Sequence, residues 1–192
     1  MGDESGWAAV VLTGGTASRM GGADKAGLAR GSRRLLDLAL EAVAGAEEVV
    51  VVGPPAATGR PVTFTREDPV GGGPLAGLAA GVEALHGDAD SVVVLAVDMP
   101  HVTEATVARL RAAADGRPGA WLVDGGGRRQ LAGVVRRGLV PPPEDAAGRP
   151  MRLVMSHPGC VEVAADEHEA ADVDTWDDAA RLGVTRDTTP RT

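Results

Sequence analysis

Tyrosine is absent from this chain, phenylalanine occurs once and tryptophan three times. A core must therefore be assembled from Ala, Val and Leu. The single cysteine, Cys160, excludes an intrachain disulfide and any multi-cysteine zinc site. His86, His101, His157 and His168 show no metal-ligand spacing. No apolar run approaches the ~20 residues that span a bilayer, and Met1 to Gly6 lack the basic start of a signal peptide. These absences lead to the expectation of a cytoplasmic protein with no membrane partner. The net charge of −8 argues against a nucleic-acid binder, which presents a broad basic face. It leaves room for a small phosphate ligand, which needs only a few backbone N–H groups, one or two cations and a metal. Lysine is the scarcest charged residue: Lys25 is the only one among nineteen lysines and arginines.

What is present follows an alternating pattern. Continuous apolar runs at 7–12, 49–52 and 91–97 read as strands, with a weaker one at 61–65. Helical spacing appears at 33–44, at 75–85 behind Pro74, and from an N-cap at Thr103 to about residue 114. Strands without polar alternation are buried on both faces, as in a parallel sheet covered by helices. The expected fold is an α/β three-layer sandwich, Rossmann-like, with a mostly parallel sheet and helices on both faces. The last third is less regular. Strands are expected at 120–123, 131–135 and 160–163, and a loop at 141–143. A short helix is expected at 149–156, and a last helix capped by Asp174 or Thr175. No repeat or linker divides the chain. The expected organisation is a disordered N-terminus at 1–6, one domain at 7–183 and a tail at 184–192.

The stretch VVLTGGTASRMGGADKAG, residues 10–27, joins the first strand to the lone lysine. It is not a Walker A loop, because Lys25 follows Asp24 and precedes Ala26. It is not a dinucleotide fingerprint, because Gly14-Gly15 and Gly21-Gly22 lack that spacing. It does leave the carboxyl end of a strand, where open α/β sheets bind ligands. Glycines let backbone N–H groups approach a phosphate, and Arg19 and Lys25 add positive charge.

Four motifs then occur in order. They are Leu12-x-Gly14-Gly15-x-x-x-Arg19-Met20-Gly21 with Asp24-Lys25; Gly73-Pro74-Leu75-Ala76-Gly77; Val97-Asp98-Met99-Pro100; and Asp172-Val173-Asp174-Thr175. Together they resemble the nucleoside-triphosphate transferases of the MobA type, the molybdenum cofactor guanylyltransferases, over about residues 7–183. The resemblance implies transfer of GMP from GTP to the phosphate of molybdopterin, with release of pyrophosphate. It implies Mg2+, with Mn2+ as a substitute, and transient contact with molybdopterin-delivering proteins. A monomer or weak homo-oligomer is expected.

The same resemblance implies roles. Asp98 is the first metal ligand and Asp174 the second, unless Asp174 only caps the last helix. Arg19 and Lys25 offset the charge of the triphosphate and of the departing pyrophosphate, and with Asp98 form the catalytic set. Leu12, Thr13, Gly14 and Gly15 contact nucleotide through the backbone. Asp68 lies near the nucleotide or is a surface turn acid. Gly73, Pro74, Leu75 and Gly77 shape the base pocket. Arg128, Arg129 and Gln130 either face the acceptor or form a solvated hairpin tip. Two positions depart from the family pattern: Thr13 stands where Ala is usual, and Gly53 where Asn is frequent. They keep a nucleotide-binding paralogue without turnover in view, beside cytidylyltransferases of the same fold.

Overall fold

The computed structural model describes residues 6–14, 25–166 and 168–186. Its strands are β1 (Trp7–Leu12), β2 (Leu28–Arg30), β3 (Arg33–Arg34), β4 (Glu48–Val52), β5 (Thr63–Thr65), β6 (Ser91–Ala96), β7 (Gly119–Val123), β8 (Arg129–Arg136), β9 (Val161–Ala164) and β10 (Val184–Arg186). Its helices are α1 (Leu35–Ala42), α2 (Pro74–Glu83), α3 (Glu104–Ala114), α4 (Pro143–Ala146), α5 (Arg152–Met155) and α6 (Trp176–Arg181). Seven strands form one sheet in the order β5-β4-β1-β6-β8-β7-β9. Pairing is parallel except around β8, which runs antiparallel to both β6 and β7. A second, three-stranded antiparallel sheet has the order β10-β2-β3.

The apolar runs bury both faces, as strands between two helical layers must. Ala9, Val11, Val49, Val51, Val93 and Leu95 pack with Leu36 and Ala39 of α1 and with Val107 and Leu110 of α3. The alternate residues, Ala8, Val10, Leu12, Val50, Val52, Val92 and Val94, pack under Leu75, Leu78 and Val82 of α2 and Val154 of α5. Small residues let α2 sit close to the sheet. A methyl group on Gly81 would lie 2.5 Å from Val10 Cγ1 and 3.1 Å from Val52 Cγ2.

Several short elements differ from expectation. Residues 33–34 form β3, so α1 begins only at Leu35. Pro143, expected in a loop, opens the one-turn α4, where its lack of an N–H costs nothing. Val184–Arg186, expected to begin a tail, pairs with Leu28–Arg30 as β10. Three-residue strands carry too little periodicity to be recognised alone.

One polar knot ties the last third to α3. Thr103 and Thr106 make a reciprocal cap at the helix start. Buried Glu169 accepts from Thr106 Oγ1, from Arg109 Nη1 at 3.1 Å and Nη2 at 2.7 Å, and from the Asp166 N–H at 2.8 Å. Burial alone would raise the Glu169 pKa. The Arg109 and Thr106 bonds outweigh it and hold the carboxyl below its ordinary value. Four residues further on, Val173 N donates to Asp98 O at 3.0 Å.

Two outcomes follow for stability. Gly81→Ala gains helix propensity of about 1 kcal/mol but forces a methyl into packed valines, an overpacking cost of about 1–3 kcal/mol. The urea midpoint is expected to fall, and a raised midpoint would show that α2 can lift away. Glu169→Gln is expected to lose about 1–3 kcal/mol at pH 7. A carboxyl whose folded pKa is depressed stabilises above its unfolded pKa and loses that contribution as pH falls through the folded value. The gap between wild type and Glu169→Gln is therefore expected to close below about pH 4. Urea midpoints measured from pH 7 to pH 3 check this, and a constant gap would remove the charge from the account.

Candidate functional site

The sheet order creates the site before any side chain is considered. From β1 the chain moves outward to β4 and β5, then returns past β1 to β6. The winding direction reverses between β1 and β6. A crevice opens at such a reversal, outside the carboxyl ends of the two strands. The segment after β1 leads to Lys25, and Asp98 stands just beyond β6. Val97 N donates to Leu12 O at 2.9 Å, which holds the two strand tips side by side.

Lys25 begins a single 3-10 turn, Lys25–Gly27, that runs into β2. Its side chain is only 10 % exposed. The ammonium donates to Asp98 Oδ2 at 2.7 Å and to Asp174 Oδ1 at 2.8 Å. Burial tends to lower the Lys25 pKa. Attraction to Asp98 and the bonds to both carboxylates override it and keep the ammonium charged above the ordinary lysine value. Asp174 arrives through the Val173–Asp98 backbone bond described above. It does not cap α6: Thr175 does, accepting from the Asp178 N–H, while Asp178 in turn accepts from the Thr175 N–H.

Asp172 is a site neighbour that sequence reasoning passed over. Burial raises its carboxyl pKa, and the charges of Asp174 and Asp98 add to the rise. The Asp-x-Asp spacing was the available signal. Three carboxylates thus share one corner, and among the described residues Lys25 is the basic side chain bonded to two of them.

The remaining expected site residues divide. Gly14 is exposed at the carboxyl edge, with open space where a side chain would project. Asp68 is exposed beyond β5, on the same edge. Gly73, at φ +92°, precedes Pro74 at the start of α2, and no side chain caps that helix. The positive end of the α2 dipole therefore opens at the carboxyl edge. Arg19 and Gly15 lie outside the described residues.

Other side chains serve packing. Leu12 and Leu75 are buried in the core, which leaves only their main chains for a ligand. Gly77 faces Leu12 Cδ2, 3.3 Å from an added methyl, so protein rather than a base fills the space it leaves. The Thr13 N–H and hydroxyl both donate to Val52 O, at 3.0 and 2.9 Å, so neither points a proton at a nucleotide. Thr13 and Gly53 also meet: a methyl on Gly53 would fall 1.8 Å from Thr13 Oγ1.

The acceptor cluster resolves in a similar way. Gln130 is buried and donates to Asp124 Oδ2 at 3.0 Å. Arg129 is bound to Glu162, at 3.0 Å, and to the Met155 carbonyl. Gln130 closes the β7–β8 hairpin, and Arg129 ties it to β9 and α5. Arg128 is largely exposed, with a 3.5 Å ion pair to Asp124, and its charge also acts on Asp172.

Whether these residues suit a divalent metal can be judged from the donor set. Among the described residues, no three His, Cys, Asp or Glu side chains surround a common point. Mg2+ does not require that, because it takes one or two carboxylates and completes its shell with water and substrate phosphates. Asp98 and Asp174 already converge on one cation from two chain segments, so the pair fits. Among the same residues, no helix is long and apolar enough to cross a membrane.

The sequence profile described as the MobA-like NTP transferase domain matches residues 9–163. Two similar curated proteins are both named molybdenum cofactor guanylyltransferase. The one from Acidiphilium cryptum (strain JF-5) is 39% identical over 114 residues, 55% of this chain and 57% of its own length. The one from Mesorhizobium japonicum is 39% identical over 133 residues, 64% of this chain and 62% of its own. The chain thus spans less than two thirds of the curated relatives it matches. A nucleotidyl transferase from Methanothermobacter superposes with a TM-score of 0.74 at 24% identity, covering 94% of this chain and 96% of that one. At that identity the likeness is one of fold. A profile match across most of the sheet, with the charged corner at the reversal of winding, places the chain in a family: it belongs to the MobA-like NTP transferases.

Proposed function

We propose that this chain transfers GMP from GTP to the phosphate of molybdopterin, in the cytoplasm, and that Mg2+ assists. The observation that carries the reading is the convergence of Lys25, Asp98 and Asp174 at the sheet's switch point. The family membership and the names of the curated relatives supply the substrates.

An oxygen of the molybdopterin phosphate attacks the α-phosphorus of GTP. The bond from that phosphorus to the bridging oxygen breaks, and pyrophosphate leaves with the electron pair. Both nucleophile and leaving group are anionic, so the protein acts mainly by positioning and by offsetting charge. Asp98 and Asp174 would hold Mg2+, which would supply positive charge to offset that of the phosphates. Asp98 is fixed by the β6 tip and Asp174 by the Val173 backbone bond, so their carboxylates need little rearrangement. Lys25 and Arg19 carry positive charge toward the β- and γ-phosphates. The uncapped start of α2 offers the N–H groups of Gly73, Leu75 and Ala76, around Pro74, to an anion on the same edge. Gly14 leaves an approach free of side chains. Asp68 lies on the nucleotide side of the cleft. Arg128, being exposed, is the member of its cluster that can reach toward the acceptor.

Pyrophosphate release with GTP, Mg2+ and molybdopterin tests the reading. Asp98→Asn is expected to lower the rate by 100-fold or more, about 2.7 kcal/mol or more of transition-state stabilisation, while the far-ultraviolet circular dichroism is unchanged. Near-normal turnover would remove Asp98 from the site. Release with CTP at the GTP rate would overturn the choice of base. In parallel, GTP with Mg2+ is expected to raise the melting temperature through binding to the folded state, and CTP, ATP and UTP to raise it less.

A further inference from the structure

Lys25 occupies the place of a cation. Its ammonium sits within 2.8 Å of one oxygen from each of the two carboxylates that face a metal in the proposed reaction. It is the chain's single lysine, and every other residue of its charge type is arginine. An ammonium is a compact point charge on a flexible four-carbon stem, whereas a guanidinium is a broad planar fork. Of the two, only the ammonium can stand where a small ion stands and later move.

We infer that Lys25 is an internal counter-ion that exchanges with the metal: it holds Asp98 and Asp174 together while the site is empty, then releases them to the divalent ion and turns to the triphosphate. This rests on the metal role proposed above for the two aspartates. The physical argument is one of shared oxygens and like charge. Asp98 Oδ2 and Asp174 Oδ1 cannot keep the ammonium at 2.7 and 2.8 Å and also bind a divalent cation between them. Two cations a few ångströms apart in a partly buried corner repel strongly. Lys25 therefore opposes metal binding to the empty protein. GTP removes that opposition, because its phosphates give the ammonium a new anion to hold. Metal and nucleotide are thereby coupled through one side chain, and reciprocity requires each to strengthen the other's binding.

Removing this active-site cation should strengthen metal binding to the nucleotide-free protein while destroying turnover. Mn2+ is the probe, with its free fraction read by electron paramagnetic resonance. Lys25→Met is expected to bind Mn2+ about tenfold tighter than wild type or more without nucleotide. Adding Asp98→Asn to that variant should abolish the gain. With GTP present the two proteins should converge, since Lys25 has by then left the carboxylates in the wild type. Equal or weaker Mn2+ binding by Lys25→Met overturns the exchange. If the wild type binds Mn2+ with GTP but the variant shows no gain, the metal reading stands and only the exchange fails. If neither protein binds Mn2+ with or without GTP, both fail.

A wild-type measurement guards against a variant that does not fold. Because Lys25 is the sole lysine, growth on 13C,15N-lysine gives one side-chain ammonium resonance with nothing to assign. That resonance is expected to shift on addition of GTP with Mg2+. A resonance unmoved at saturation would mean that the ammonium never leaves the carboxylates, and the inference would be wrong.

Discussion

One ammonium group between two carboxylates organises this molecule's functional edge. The contacts join residues 73 and 149 positions apart in sequence. None of the three segments that meet there is held by the charges alone. Asp98 is fixed by β6, whose tip is bonded to that of β1 through Val97 and Leu12. Asp174 is fixed by the Val173 bond to the Asp98 carbonyl, and its approach is set upstream by the Glu169 knot on α3. Lys25 is fixed by the turn into β2, which pairs with β10 beyond α6. The core supplies the rigidity, and the charges use it.

That division of labour shows in which residues pack and which remain accessible. Along the carboxyl edge, Leu12, Thr13, Leu75 and Gly77 belong to the fold, through burial or through bonds to Val52. Gly14, Asp68, Pro74 and Asp174 remain within reach of solvent. A motif can thus be shared by a family for two reasons at once. In Gly73-Pro74-Leu75-Ala76-Gly77, the first two residues shape an accessible helix start. The last three seat the same helix on Val52 and Leu12.

The sheet was legible in the sequence where burial is two-sided. The runs at β1, β4 and β6 are short, rich in valine and bounded by Gly, Asp or Pro, which reads as a covered strand. The α/β sandwich followed from their alternation with amphipathic helices. The small sheet was not legible, because β2, β3 and β10 are two or three residues long and β10 pairs with β2 across more than 150 positions. The charged corner was half legible. Asp98 announced itself at the end of an apolar strand, and Lys25 by being alone of its kind. The partnership of both with Asp174 depends on a backbone bond from Val173 that no local pattern encodes. Arg129 and Gln130 stood between an acceptor-facing and a solvated reading because sequence shows polar groups without their partners, which are Glu162 and Asp124.

Thr13 and Gly53 looked in sequence like two independent departures from a family pattern, and so like signs of decay. In the structure they are one feature. The Thr13 hydroxyl lies where a side chain on residue 53 would begin, and it is anchored there by its bond to the Val52 carbonyl. Residue 53 also has φ at +154°, a conformation that favours glycine, and its N–H is bonded to the Thr65 carbonyl at 2.8 Å. A side chain on residue 53 would meet the Thr13 hydroxyl, and the bonds from Thr13 to Val52 and from Gly53 to Thr65 join the β1–β4–β5 tips. The Thr13 hydroxyl and the glycine at 53 fit together at the strand edge from which the chain sets out toward Lys25.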